Sequence, residues 1–298
     1  MSKYSCLAIL LMLALTSGCL PSHTQSKPPE KSFLWEVHSE ASTVYILGSI
    51  HAARPELYPL AEPIENAFGR AENIAVEFDV TTTDEAHLAT LMIQKAKYPQ
   101  GETLYSNIPE ELYEKTDELL EDLGADVLLF NSYEPWAVAM EIEALQLLQY
   151  GYLPEYGIDM YFLDRAHEEG KDIHELESAR FQINLLDEFP PELQIFMLES
   201  VVTDPLTRKD LEQIFECWEE GDTTGMEQLA LEMDDDDPRI DLLNEKLLDE
   251  RNFEMAEKIN QFLNDDEDYF VVVGAAHLVG ENGIINLLEE EGYEITQL

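Results

Sequence analysis

A chain of 298 residues, 45% of them apolar, is long enough to bury a full core in one large domain. Its 63 acidic residues face only 17 Lys and Arg, a formal charge of -46 spread along most of the chain. That excess excludes nucleic acid as a partner, disfavours acidic substrates and attracts cations and basic peptides; the self-repulsion it carries needs screening and points to a saline habitat.

Lys3 and the apolar run Leu7 to Leu15 form the basic and hydrophobic regions of a signal peptide over residues 1–18, too short for a membrane span. The Thr16-Ser17-Gly18-Cys19 sequence resembles a bacterial lipobox with Thr16 in place of the usual leucine, so Cys19 is a candidate acylated first residue of the mature protein, with plain cleavage and secretion as the alternative. Residues 19–32, with Pro21, Pro28 and Pro29 among Ser, Gln and Lys, read as a tether. Only Cys217 then remains as a free thiol, and its carboxylate-rich neighbourhood gives it a structural reading.

The folded part is expected over 33–298. Phe33 to Val37 and Thr43 to Ile50 read as a hairpin turned at Ser39 to Ser42, followed by a helix from about Pro59 to Arg70 and a buried strand from Asn73 towards Asp79. Strand, helix and strand in so short a space predict a βαβ unit with a parallel pair. From about 82 to 265 the pattern is mostly helical: one helix is opened by Pro109 and closed by Gly124, another runs from Pro135 to before Gly151, and a third runs from Ile158 to Gly170. A short strand at Asp172 to Leu176 interrupts them, and Asp234 to Asp237 before Pro238 marks a solvated break without the spacing of a calcium loop. A strand at Tyr269 to Val273, a helix from about Glu281 to Glu291 and a strand at Tyr293 to Thr296 close the chain. The class is α/β, with α+β as the alternative: one mixed sheet built from both ends of the chain, with a large helical insertion in the middle.

Two strands end in the same way. Gly48-Ser49-Ile50-His51 follows the first apolar run and Gly274-Ala275-Ala276-His277 follows the last. Gly48 and Gly274 let the backbone leave each strand without side-chain bulk near a site, and Glu77 closes the strand between. In such sheets ligands bind beyond the carboxyl ends of the strands, so His51, Glu77 and His277 are candidates to converge on one divalent ion with positions open for water and substrate. There is no Gly-x-Ser-x-Gly elbow, no His-Glu-x-x-His and no phosphate loop. Ser49 reads as a small polar turn residue, His174 and Glu175 as packing and surface residues, and Asp159 and Arg251 either as helix-end charges or as groups that orient a ligand.

The Leu47 to His51 segment with Arg54-Pro55, Val76 to Asp79, Gly157-Ile158-Asp159, Leu176-Glu177, Arg251-Asn252 with Met255, and Val273 to Gly280 together resemble the TraB/GumN family from about Phe33 to Leu298. That family is related to the Tiki metal-dependent peptidases, which use two Gly-x-x-His motifs and a glutamate, and to ChaN and erythromycin-esterase-like folds. The resemblance implies His51, Glu77 and His277 as catalytic and metal-binding residues, Ser49 in place of a more usual threonine, and Ser49, Arg54, Asp159 and Arg251 around them or on the substrate. A divalent ion is expected there, Mn, Co, Zn or Fe, and the resemblance leans to manganese or cobalt. The function expected is an envelope-associated metal-dependent hydrolase acting on a peptide or protein, on the periplasmic side and touching the membrane through lipidated Cys19 alone. The alternatives are a peptide-sequestering factor of the pheromone-shutdown kind and a metal-independent esterase-like hydrolase.

The charge makes a direct prediction. Raising sodium chloride from about 0.15 M to about 1 M shortens the screening length from about 8 Å to about 3 Å. The melting temperature is expected to rise by several degrees over that range; a flat or falling midpoint removes the inference of a saline habitat.

Overall fold

The computed structural model describes residues 31–81, 85–231 and 237–298, without the side chains of 85–87. The expected signal peptide, Cys19, most of the tether and Asp234 to Asp236 lie outside the described residues. Among the described residues no helix is long and apolar enough to cross a membrane.

Six strands form one mixed sheet: β1 Leu34–His38, β2 Thr43–Ser49, β3 Asn73–Val76, β4 Asp172–Glu175, β5 Tyr269–Gly274 and β6 Glu294–Gln297, in the order β4-β3-β5-β2-β1-β6. The four strands β4, β3, β5 and β2 run parallel, while β1 is antiparallel to both β2 and β6. The expected α/β class and the closing of the sheet by both chain ends are what the structure has. The βαβ expectation is half right: β2 and β3 point the same way but do not pair, because β5 lies between them. β5 can occupy that place because every one of its residues is buried, as the unbroken Tyr269-Phe270-Val271-Val272-Val273 run requires of a strand covered on both faces. The edge strand β6 instead alternates exposed and half-buried residues.

Register fixes where the site falls. Val272 of β5 pairs with Leu47 of β2 on one side and Val76 of β3 on the other, and Gly274 pairs with Ser49. The ends of three adjacent strands are therefore level, and the residues just past them leave the sheet on one edge.

The helices start and stop largely where Pro and Gly place them. Pro135 opens the Pro135–Tyr150 helix and Gly151, at φ +81, closes it; Gly170, at φ +71, closes Ile158–Glu169. The helix expected from Pro59 begins only at Glu62, and the one expected from Glu281 begins at Ile284. Asp237, the described end of the acidic run, caps the Pro238–Asn244 helix by accepting from the Arg239 amide at 2.9 Å. Two apolar cores result. One surrounds the sheet, including the Phe68, Phe162 and Phe270 rings; the other lies among helices, where Trp136, Ile142, Leu198 and Leu248 pack.

Gly48 and Gly157 answer to close packing. A Cβ on Gly48 would lie 2.5 Å from the Phe33 ring and 3.1 Å from Ala275 Cα, so this glycine makes room for the core rather than for a ligand. Gly48 is also pinned on both sides, its N–H donating to Phe33 O at 3.0 Å and its carbonyl accepting from Trp218 Nε1 at 2.6 Å. A Cβ on Gly157 would meet the His51 carbonyl oxygen at 2.4 Å, where Ile158 N also donates to Ile50 O at 3.1 Å. Gly157→Ala would force two backbones apart at that point, at a cost of about 1–3 kcal/mol. A thermal melt should drop by several degrees; an unchanged midpoint means the contact can relax.

Candidate active site

Glu77 comes directly after β3 and turns inward, its side chain only 6% exposed. Its Oε1 accepts from the Gly274 amide at 2.8 Å, and its Oε2 accepts from Arg251 Nη2 and Gln182 Nε2, each at 2.8 Å. Burial alone would push this carboxyl up, but the Arg251 guanidinium, the two imidazoles His277 and His51 and the Gly274 amide outweigh it and hold Glu77 well below the usual carboxylate range. It is an anion at any working pH.

Arg251 is shared. Its Nε and Nη2 form a fork on Glu177 at 2.8 Å each, while Nη1 donates to Leu247 O at 2.9 Å. Leu247 belongs to a π-helical turn, Glu245–Asp249, leading into the Glu250–Leu263 helix. That wider turn shifts the register of the Glu250–Leu263 helix and offers its carbonyl to the guanidinium. Gln182 bridges both carboxylates, donating also to Glu177 Oε2 at 2.8 Å.

His277 sits past β5 with no exposed surface. Its Nδ1 is 2.6 Å from Asn252 Oδ1, and the Asn252 amide is oriented by its own Nδ2, which donates to the Asn282 carbonyl at 2.9 Å. Oδ1 must therefore accept, so Nδ1 carries the proton and Nε2 the lone pair. Among the described residues Nε2 has no hydrogen-bond partner, and it faces Glu77 Oε1 at 3.8 Å, too far for a hydrogen bond. Burial first, then Arg251 and His51, push the imidazole down to about 3, with Glu77 opposing, so it stays neutral.

His51 is more open, its side chain 14% exposed. Its Nδ1 lies 2.7 Å from Asp159 Oδ2, and Ser49 Oγ donates to the other Asp159 oxygen at 2.6 Å. Asp159 stands in the first turn of the Ile158–Glu169 helix, brought there by the Gly157 contact. His51 is near enough to act electrostatically on both Glu77 and His277.

Asp159 and Arg251 thus touch the candidate residues directly and are more than helix-end charges. Arg54 goes elsewhere: it donates to Tyr150 O at 3.1 Å and stacks 4.1 Å above the Tyr152 ring. Gly274 contributes its amide to Glu77. His174 packs against Phe262 and Tyr269, Glu175 accepts from the Asp79 amide at 2.8 Å, and the Cys217 thiol is pushed up by burial and by Asp222, Glu216 and Glu220, all as their sequence context implied. Sequence reasoning gave no role to Glu177, Gln182 or Asn252. Glu177 and Asn252 stand beside residues already singled out, but nothing in the sequence marks Gln182.

Whether these residues suit a metal can be tested on their geometry. Among the described residues no group of three or more His, Cys, Asp or Glu side chains is placed to hold an ion as it stands. The donor chemistry nevertheless fits one: two imidazoles each fixed through Nδ1 by a side-chain oxygen, as metal-bound histidines are, and a buried lone pair opposite a carboxylate oxygen.

The chain is 28% identical over 82% of its length to YbaP of Escherichia coli, an uncharacterised protein of which it spans 87%. It is 22% identical over 99% of its length to a metalloprotease TIKI homolog of Amphimedon queenslandica, and 21% identical over 94% to the human metalloprotease TIKI1. It spans 68% and 64% of those two relatives. No solved structure matches it. The family pattern itself runs over residues 33–297, and the chain belongs to the TraB/PrgY/gumN family.

Proposed function

We propose that this protein is a metal-dependent hydrolase, a peptidase, working in a bacterial cell envelope on the periplasmic side. The observation that carries this reading is the His277 Nε2 lone pair set 3.8 Å from the Glu77 carboxylate, both buried. Charge points the same way. The carboxylates of Glu77, Glu177 and Asp159 against the one guanidinium of Arg251 leave two formal negative charges around two imidazoles, which a divalent ion would balance. The relatives named metalloproteases support the same class of chemistry.

His51 and His277, through Nε2, and Glu77, through Oε1, are the groups that would hold the ion. Mn, Co, Zn and Fe all suit such a donor set. When bound, the ion would polarise a scissile carbonyl and lower the pKa of water beside it. The side chains divide the remaining work. Glu77, with three hydrogen bonds on its carboxylate, is too weak a base to take a proton and serves as a fixed negative charge. Asp159 keeps His51 oriented through Nδ1. Ser49 spends its proton on Asp159, so it positions that carboxylate and is not poised as a nucleophile towards His51. Substrate approaches from the His51–Asp159 side, because those side chains are partly exposed while Glu77 and His277 are sealed.

A second reading, a metal-independent hydrolase in which His51 activates water against Asp159, rests on the 2.7 Å pair between them. Elemental analysis, circular dichroism and turnover of a fluorogenic peptide library separate the two. His51→Ala and His277→Ala should remain folded, lose bound metal and lose at least about 100-fold in turnover. Glu77→Gln should lose turnover to a similar degree. A wild-type protein that cleaves peptide without any divalent ion, or three variants with full activity, would defeat the metal mechanism.

Acylation at Cys19 completes the proposal, since a lipid-modified first residue followed by a Pro-rich tether would hold the domain at a membrane. In fractionated cells the wild type should sediment with membranes and Cys19→Ser should not. Finding both forms wholly in the soluble periplasmic fraction rules the anchor out.

A further inference from the structure

We propose that Asn252 is the positioning residue that locks His277 in the tautomer with its proton on Nδ1 and its lone pair on Nε2, towards Glu77. The inference deepens the metal-hydrolase reading and rests on it for the purpose of the tautomer, though not for its existence. An unconstrained imidazole can carry its proton on either nitrogen. Here the choice passes through a chain of contacts that begins away from the histidine. Asp249 Oδ2 accepts from Asn282 Nδ2 at 2.9 Å, which holds the loop after His277 against the π-helical turn. The Asn282 carbonyl then accepts from Asn252 Nδ2 at 2.9 Å. A carbonyl can only accept, so the Asn252 amide has one orientation, and its Oδ1 meets His277 Nδ1 at 2.6 Å. An oxygen at that distance requires N–H on Nδ1.

The other tautomer would be costly. It would place two lone-pair atoms, Asn252 Oδ1 and His277 Nδ1, at 2.6 Å in a fully buried site, with the Nε2 proton 3.8 Å from Glu77 Oε1 and unable to bond it well. The asparagine amide itself brings no charge to His277. A carboxylate, the kind of partner that Asp159 is for the more exposed His51, would instead add a charge at that nitrogen. The two histidines are thus oriented through the same nitrogen by chemically different partners. His277, on the neutral amide, presents Nε2 towards Glu77.

Three proteins test this: wild type, Asn252→Leu, which removes the acceptor at similar volume, and Asn252→Asp, which keeps an acceptor oxygen. In the metal-free proteins, long-range proton–nitrogen NMR correlations of the His277 ring report the tautomer. Wild type and Asn252→Asp should show protonated Nδ1 with Asn252→Leu showing a mixture or the reverse. Calorimetric titration with zinc or manganese should give about a 10- to 100-fold weaker affinity for Asn252→Leu, recovered by Asn252→Asp, with circular dichroism the same for all three. If Asn252→Leu keeps the wild-type tautomer, or if metal affinity is lost equally in Asn252→Leu and Asn252→Asp, the positioning role is wrong. If wild type shows the Nδ1–H tautomer and Asn252→Leu loses it but wild type binds no metal, Asn252 stands and it is the metal-hydrolase reading that falls. Should Asn252→Leu fail to fold, the wild-type tautomer decides alone, and a ring with its proton on Nε2 there overturns the inference.

Discussion

One guanidinium holds the centre of this protein together. Arg251 is 1% exposed and sits between two carboxylates that are also sealed from water, Glu77 and Glu177. Burying three charges is expensive, and it is tolerated only when nearly every donor and lone pair is used. Here Nε, Nη1 and Nη2 all donate, Gln182 bridges both acids, and the Gly274 amide takes the remaining face of Glu77. The network ties the end of β3 to the end of β5, to the segment after β4 and to the π-helical turn ahead of the last long helix. Removing Arg251 would leave two uncompensated anions in the core, a loss of about 3–5 kcal/mol by analogy with broken buried pairs. The level strand ends supply the place, and this network sets the side chains in it.

The network is not neutral, and that connects it to the chain as a whole. With its carboxylates outnumbering its cations it repeats in miniature the imbalance of the sequence, 63 acids to 17 bases. Surface acids raise the local concentration of cations around the molecule. The two imidazoles are oriented through the same ring nitrogen by opposite means, Asp159 near the surface and Asn252 in the interior.

Much of this was legible in the sequence because the signals were local. The unbroken Tyr269 to Val273 run demanded a strand buried on both faces, Pro135 and Gly151 bracketed a helix, and two strands ending in Gly-x-x-His, with Glu77 after a third, marked one edge of a parallel sheet. What was hidden depends on long-range order. Nothing in β2 and β3 announces that a strand almost two hundred residues later will lie between them. Gly48 was read as clearance for a ligand because the Phe33 ring that fills its missing Cβ lies outside the motif. Arg54 stands beside the first histidine in sequence, yet a tyrosine ring and a backbone carbonyl draw it away. Gln182 lies on an ordinary amphipathic helix, and only the spot where its amide meets two acids gives it a role. The π-helical turn has no residue signature at all.

The hydroxyl next to the first histidine shows why proximity in sequence is a poor guide to a nucleophile. Ser49, His51 and Asp159 are the residue types of an acyl-transfer triad, and Asp159 contacts both of the others. In such a triad the imidazole must lie between the other two, one nitrogen on the acid and the other on the hydroxyl. Here Asp159 lies between, with Ser49 on one carboxylate oxygen and His51 on the other. The serine proton already has an acceptor, and the imidazole meets the acid rather than the hydroxyl. A covalent route through Ser49 would need both side chains to abandon bonds of 2.6 and 2.7 Å. The arrangement therefore disfavours Ser49 as a nucleophile, and the paired Asp159 oxygens hold both the serine hydroxyl and the His51 ring in place.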